Sequence, residues 1–156
     1  MGDSAGGGLL LALVLKMKKE GIALPSQLIM LSPWLDISMT NLDMLPVEKY
    51  DPALTIEGPS IAGLFYANGS DTKNWLVGPL YGNLRDLPTM SLFSGTHEIM
   101  NADHRKFKSL CESKDVLLNY FEYLQMMHVW PIFGIPESEK AIRQIAELIA
   151  SNGQKI

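Results

Sequence analysis

The chain opens on Gly2-Asp3-Ser4-Ala5-Gly6, followed at once by Gly7-Gly8 and a long apolar helix pattern. This G-x-S-x-G arrangement restricts the fold more than any other feature. It is the pattern of a sharp strand-to-helix turn that presses a serine hydroxyl out of the backbone. Such a turn needs glycine at its flanks so that neighbouring backbone can approach without Cβ clashes, room that Gly2 and Gly6 are expected to provide. The helix expected over Gly6–Lys19, closed by Gly21, would aim the Ala5 amide at a charge developing near Ser4, so Ala5 is a candidate oxyanion donor. Only Met1–Asp3 precede Ser4, and the strand that should lead into the turn is expected to be missing. A phosphate cradle is disfavoured, because the chain has neither G-x-x-x-x-G-K-[ST] nor a spaced G-x-G-x-x-G after a strand.

With 156 residues, 47% hydrophobic and 19% charged, the chain has the balance of one soluble globular domain able to bury a core. The apolar run Leu9–Leu15 is too short to span a membrane and passes into Lys16, Lys18, Lys19 and Glu20, so it reads as a buried helix rather than a signal peptide. The lone Cys111 cannot form an internal disulfide, which fits a reducing, cytoplasmic setting, and its helical surroundings suit a small buried side chain. A net charge of −4, with no basic cluster beyond the end of the first helix, argues against nucleic acid as a partner.

Strand-like and helix-like segments alternate along the chain. Gln27–Leu31 is an apolar run between Pro25 and Ser32-Pro33, as expected of a strand buried on both faces. Residues 34–81 hold scattered aromatics, many prolines and glycines, and one helical piece near Glu57–Tyr66, the pattern of an irregular inserted connection. Regularity returns with a strand at Thr89–Ser94, a helix at Ala102–Ser113 capped by Asn101, a strand at Val116–Tyr123, and a helix at Glu137–Ser151 whose apolar face is Ala141, Ile145, Leu148 and Ile149. This alternation predicts an α/β fold with a parallel sheet flanked by helices, in a single partial domain over residues 1–156.

In parallel sheets functional groups collect at the carboxyl ends of the strands. Glu98 follows the strand Thr89–Ser94, and His128 follows the strand Val116–Tyr123. Both are therefore expected on the same sheet edge as Ser4. The chain order of serine, acid and histidine is that of α/β-hydrolases and differs from the chymotrypsin and subtilisin orders.

Here the chain resembles the hormone-sensitive-lipase-like branch of the α/β-hydrolase esterases, whose elbow is typically G-D-S-A-G-G, as at Gly2–Gly7. Leu31-Ser32-Pro33-Trp34-Leu35-Asp36 looks like that family's S-P-W-x-D turn, Leu87-Pro88 and the strand after it look like its approach to the acid, and His128-Val129-Trp130 looks like its H-x-F/W. The resemblance runs from residue 2 to about residue 150 and implies Ser4 as nucleophile, Glu98 as acid and His128 as base, with no cofactor or metal. Glu98 stands where many relatives have Asp, a mild departure because the longer carboxylate can still accept an imidazole N–H.

Alternatives remain open for these roles. Asp103, one turn into the following helix, could be the acid, although a carboxylate is also favourable near a helix N-terminus. His97 and His104 are rival bases; His104, among Arg105, Lys106 and Lys108, suits a solvated surface. His97, Glu98, Asp103 and His104 miss the H-E-x-x-H metal spacing. Asp36 is expected to hydrogen-bond the turn after its strand.

The H-G-G-G-type oxyanion loop and the first strands of the family's sheet have no counterpart here, so the chain looks like the C-terminal half of an esterase. The expectation is a serine carboxylic-ester hydrolase for small, short-chain esters, and homo-oligomerisation or association with a missing N-terminal half. The competing expectation is an inactive hydrolase remnant that serves as a folded binding or association module.

Overall fold

Four parallel strands in the order β1-β2-β3-β4 form the centre of this computed structural model, which describes residues 1–153. The strands are β1 (Gly2–Asp3), β2 (Gln27–Leu31), β3 (Thr89–Gly95) and β4 (Leu118–Tyr123). The helices are α1 (Ser4–Lys19), α2 (Leu45–Glu48), α3 (Glu57–Ala67), α4 (Asn101–Ser113) and α5 (Pro136–Gly153).

A strand therefore does lead into Ser4. It is only two residues long, with Gly2 opposite Met30 and Asp3 opposite Leu31 of β2. β2 and β3 then pair from Gln27–Thr89 to Leu31–Phe93, and β3 and β4 from Met90–Leu118 to Gly95–Tyr123.

Side-chain alternation along β2 divides the core into two layers. Leu28 and Met30 point to the face covered by α1 and α4, where Leu11, Val14, Leu15, Phe107 and Cys111 pack with Met90 and Leu92. Ile29 and Leu31 point to the opposite face, where Phe93, Trp130 and the α5 residues Ala141 and Ile145 meet them. Central β2 and β3 are buried almost throughout, whereas β4 is an edge strand that alternates between partial burial and exposure. β4 alternates because no further strand covers that edge among the described residues.

Helix ends follow local chemistry. α1 ends as expected, with Gly21 at φ +67° and the Ile22 N–H returning to the Met17 carbonyl at 2.9 Å. Asn101 does not cap α4. It is the first helical residue, and its side-chain amide turns inward to Ser94 Oγ at 2.9 Å and Glu122 Oε2 at 3.1 Å. On α5, Ala141 and Ile145 are buried and Leu148 packs partly buried against the same cluster, but Ile149, expected on that face, is 52% exposed.

Residues 34–81 contain 3-10 turns at Leu42–Met44 and Pro79–Tyr81 besides α2 and α3. Asp36 holds this connection, as its position predicts: Oδ1 accepts from the Ser38 amide and hydroxyl at 2.9 and 2.6 Å, and Oδ2 accepts from the Tyr81 hydroxyl at 2.6 Å. Burial and the Asp36 carboxylate both push the Tyr81 phenol up from its ordinary range.

The glycines of the elbow are not equivalent. A Cβ on Gly2 would run into the Gly6 carbonyl, one on Gly7 would meet Pro33 Cβ at 2.7 Å, and one on Gly8 would overlap the Trp34 carbonyl. Gly6, expected to be a second point of close approach, has only Asp3 Oδ1 nearby, at 3.8 Å. The close packing is thus displaced into the first turn of α1, which lies directly on the Pro33-Trp34 segment. Gly8→Ala should cost about 1–3 kcal/mol through forced backbone displacement. Gly6→Ala should be neutral or stabilise by up to about 1 kcal/mol, since alanine is the better helix former. Urea denaturation of the two variants measures the difference, and equal effects would contradict this assignment of the contacts.

Candidate active site

Three loop ends converge at the carboxyl edge of the sheet. Ser4 sits at the junction of β1 and α1 with φ +47°, in the left-handed region that non-glycine residues seldom occupy. The Ser4 carbonyl accepts the Trp34 N–H at 2.9 Å, which helps to hold the turn. Left-handed strain of this kind persists only where surrounding contacts over-determine it, and the packing of Gly7 and Gly8 on Pro33 and Trp34 supplies those contacts.

Glu98 comes from the loop after β3 and His128 from the loop after β4. The two loops are laced together by backbone bonds, Thr96 N–H to the Tyr123 carbonyl at 3.0 Å and His97 N–H to the Met126 carbonyl at 2.9 Å. Gln125 N–H adds a bond to Thr96 Oγ1 at 2.7 Å. Gly95 is required at this crossing, because a Cβ there would overlap the Met126 carbonyl.

Ser4, Glu98 and His128, named from the sequence, lie in one hydrogen-bonded line. His128 Nδ1 is 2.8 Å from Glu98 Oε2, and His128 Nε2 is 2.8 Å from Ser4 Oγ. A carboxylate oxygen only accepts, so Nδ1 carries the proton and Nε2 is left bare toward the serine hydroxyl. The line can pass a proton from Ser4 to His128 with the ring held by Glu98. Glu98 is fully buried, and its Oε1 accepts from Gly95 N–H at 2.7 Å and Ser32 Oγ at 3.0 Å. The Ala5 amide lies in the first turn of α1, beside Ser4.

The rival candidates occupy other positions. The His97 ring stacks on Tyr50 at 5.2 Å between centroids. His104, expected on a solvated surface, is completely buried. Its Nε2 donates to the Pro33 carbonyl at 2.8 Å, and its Nδ1 is 2.7 Å from Ser94 Oγ. Burial pushes this imidazole below its ordinary range, so the neutral ring leaves Nδ1 as acceptor for the Ser94 hydroxyl. Charged neighbours obscured this position in the sequence. The signal was the spacing of His104, Phe107 and Cys111, which puts all three on the buried stripe of α4. Ser32, Ser94 and Asn101, all buried around Glu98, were likewise missed as contributors.

The comparisons with known proteins fit this geometry. Residues 1–132 match the family described as alpha/beta hydrolase fold. The chain belongs to that family. Among relatives of this α/β-hydrolase is an esterase of Acinetobacter venetianus, 33% identical over 154 residues, covering 96% of this chain and 50% of the relative. An acetyl-hydrolase of Streptomyces hygroscopicus is 27% identical, covering 90% and 48% respectively. A solved esterase of the bacterial hormone-sensitive lipase family superposes with a TM-score of 0.93 at 30% identity, covering 97% of this chain and 52% of the other. The chain thus spans about half the length of the curated relatives it matches. No helix of the described residues is long and apolar enough to cross a membrane.

Asp103 is no solvated helix-end charge in this hydrolase fold. It is 1% exposed; Oδ1 accepts from Asn41 Nδ2 at 2.9 Å, and Oδ2 has no partner. Burial pushes its carboxyl up to about 6, opposed by the Asn41 hydrogen bond. A folded-state value above the unfolded one means stability present at low pH and lost as pH rises through about 6. Asp103→Asn should therefore be more stable than the wild type at pH 8 by about 3 kcal/mol, and the advantage should vanish toward pH 4. Denaturation curves of both proteins across that range test this, and parallel pH profiles would refute it.

Proposed function

We propose that this chain carries the reacting residues of a serine carboxylic-ester hydrolase that works through an acyl-enzyme. The observation that carries the reading is the unbroken line from Glu98 Oε2 through His128 to Ser4 Oγ, with both links 2.8 Å long, on a serine held in a strained elbow. In this mechanism Ser4 Oγ attacks the ester carbonyl carbon while His128 Nε2 takes its proton, and Glu98 steadies the imidazolium through Nδ1–H. The carbonyl oxygen gains the negative charge, and the Ala5 N–H at the start of α1 would donate a hydrogen bond to it. His128 then returns the proton to the departing alcohol, and a water molecule, activated by the same imidazole, hydrolyses the acyl-Ser4 bond.

The names of the relatives, esterase and acetyl-hydrolase, support small esters with short acyl groups as the substrate class. Cytoplasmic residence belongs to the same reading. It is supported by the buried Cys111 thiol, which burial pushes up to about 12 and keeps out of thiolate chemistry. Association with a further polypeptide is also part of it. Leu9 and Leu13 of α1 and Leu64 and Phe65 of α3 are large apolar side chains left 59%, 50%, 63% and 81% exposed, and apolar side chains left open on two helices suit a protein partner better than water.

A short-chain aryl ester is the probe of choice, with turnover followed in a preparation that hydrolyses it. Ser4→Ala should remove at least about 10³-fold of kcat, and Glu98→Gln should cost several orders of magnitude while leaving the fold intact. Turnover indifferent to Ser4→Ala would end the proposal, and a larger loss from Asp103→Asn than from Glu98→Gln would move the acid role to Asp103. Sedimentation of the chain by itself should show association, and a monomer with full esterase rates would contradict that part of the reading.

A further inference from the structure

Ser32 belongs neither to the proton line nor to the apolar core, yet it is fully buried and its hydroxyl is used twice. The O–H donates to Glu98 Oε1 at 3.0 Å, and the oxygen accepts the Val129 N–H at 3.0 Å. Oε1 is the carboxylate oxygen that His128 does not touch, and Val129 directly follows His128. A single hydroxyl at the end of β2 is therefore bonded to the acid and to the backbone that carries the base, across 66 and 97 residues of chain.

The backbone at both ends of this bridge is unusual. Ser32 has φ +44° and Val129 has φ +55°, and a β-branched residue is among the least tolerant of the left-handed region. A turn of that kind stays put only if its polar groups are held from outside. Ser32 can act as the fixed point because its own N–H is bonded to the Phe93 carbonyl of β3 at 2.8 Å. Sheet, acid loop and base loop meet at one side chain.

We propose that Ser32 is a positioning residue for the reaction: its hydroxyl ties the Val129 turn to Glu98 and thereby sets the line on which His128 reaches Ser4. This rests on reading Ser4, Glu98 and His128 as the acyl-transfer residues. Without the bridge the Val129 amide and Oε1 each lose a partner, and the turn that follows His128 loses its tie to Glu98, although the bonds from Thr96 and His97 still hold the earlier part of the loop. Misplacement of a catalytic group by about 1 Å costs on the order of 10²-fold in rate.

Two variants separate positioning from bulk stability. Ser32→Ala and Ser32→Gly both lose the hydroxyl, but only glycine relieves the positive φ, so the two should differ in resistance to urea. Histidine-¹⁵N-labelled wild-type chain should show a downfield His128 Nδ1–H resonance, assigned by its disappearance in His128→Gln. Both Ser32 variants should lose or broaden that signal through exchange with water. In a preparation that hydrolyses an aryl ester, both should lose about 10- to 10²-fold in kcat with KM within about twofold. A resonance unchanged in both variants, or one absent from the wild type, overturns the proposal, as does a kcat that follows the stability difference between them. The resonance needs no turnover. Failure of the hydrolase reading would appear instead as ester cleavage indifferent to Ser4→Ala.

Discussion

Glu98 carries a carboxyl group with no exposed surface, and in such a place oxygen atoms are tolerated only while donors from the protein replace water. The donors come from separate stretches of chain: the Gly95 amide at the end of β3, the Ser32 hydroxyl at the end of β2, and His128 Nδ1 from the loop after β4. Oε1 is shared by the Gly95 amide and the Ser32 hydroxyl, whereas Oε2 has His128 alone, so loss of the imidazole bond would leave a buried carboxylate oxygen unpaired. The geometry of the whole carboxyl edge follows, because each donor fixes the loop that bears it. The two links reaching Ser4 are the outermost part of an arrangement organised around this buried group.

The polar contacts continue behind Glu98. Ser94 Oγ lies 3.3 Å from Glu98 Oε1 but only 2.7 Å from His104 Nδ1, and a hydroxyl has a single proton. With His104 neutral, that proton is drawn to the imidazole, while the Asn101 amide donates into the same oxygen at 2.9 Å. Asn101 also donates to Glu122, which Arg105 grips with two hydrogen bonds at 2.9 and 2.8 Å. The Arg105 pairing holds the Glu122 carboxyl down at about 2. A chain of satisfied polar groups thus leads from the buried acid along the first turn of α4 to the surface, and α4 is positioned by polar contacts as well as by Phe107 and Cys111.

Much of this was legible in the sequence where a residue pattern has one physical meaning. The apolar run Gln27–Leu31 is bounded by Pro25 and Pro33, and the structure gives β2 those same limits. Glu98 and His128 are expected on one edge because parallel sheets send loop residues there after successive strands, and the structure brings the two side chains within 2.8 Å of each other. The reading failed where tertiary contacts outweigh local signals. His104 looks solvated beside Arg105, Lys106 and Lys108, but a helix can present one polar residue inward when Pro33 and Ser94 supply its partners. Asn101 resembles a cap, yet its side-chain amide is drawn instead to the buried Ser94 hydroxyl and to the carboxylate of the exposed Glu122. The need for Gly7 and Gly8 depends on Pro33 and Trp34 crossing the start of α1, which no pattern within residues 1–8 could reveal.

The brevity of β1 has its own consequence. Successive residues of a strand face opposite sides, so sliding a strand by one position turns every side chain over. Two paired residues, Gly2 on Met30 and Asp3 on Leu31, hold very little against such a slip. What opposes it is a lock of shape: α1 lies against Pro33 and Trp34 where Gly7 and Gly8 present bare backbone, so a shift one way would drive the Leu9 side chain into the Trp34 carbonyl, and a shift the other way would put the Met1 side chain where Gly2 meets the helix carbonyl. The facing of Ser4 is thus chosen by glycines that come after it, so that a helix sets the register of the strand before it.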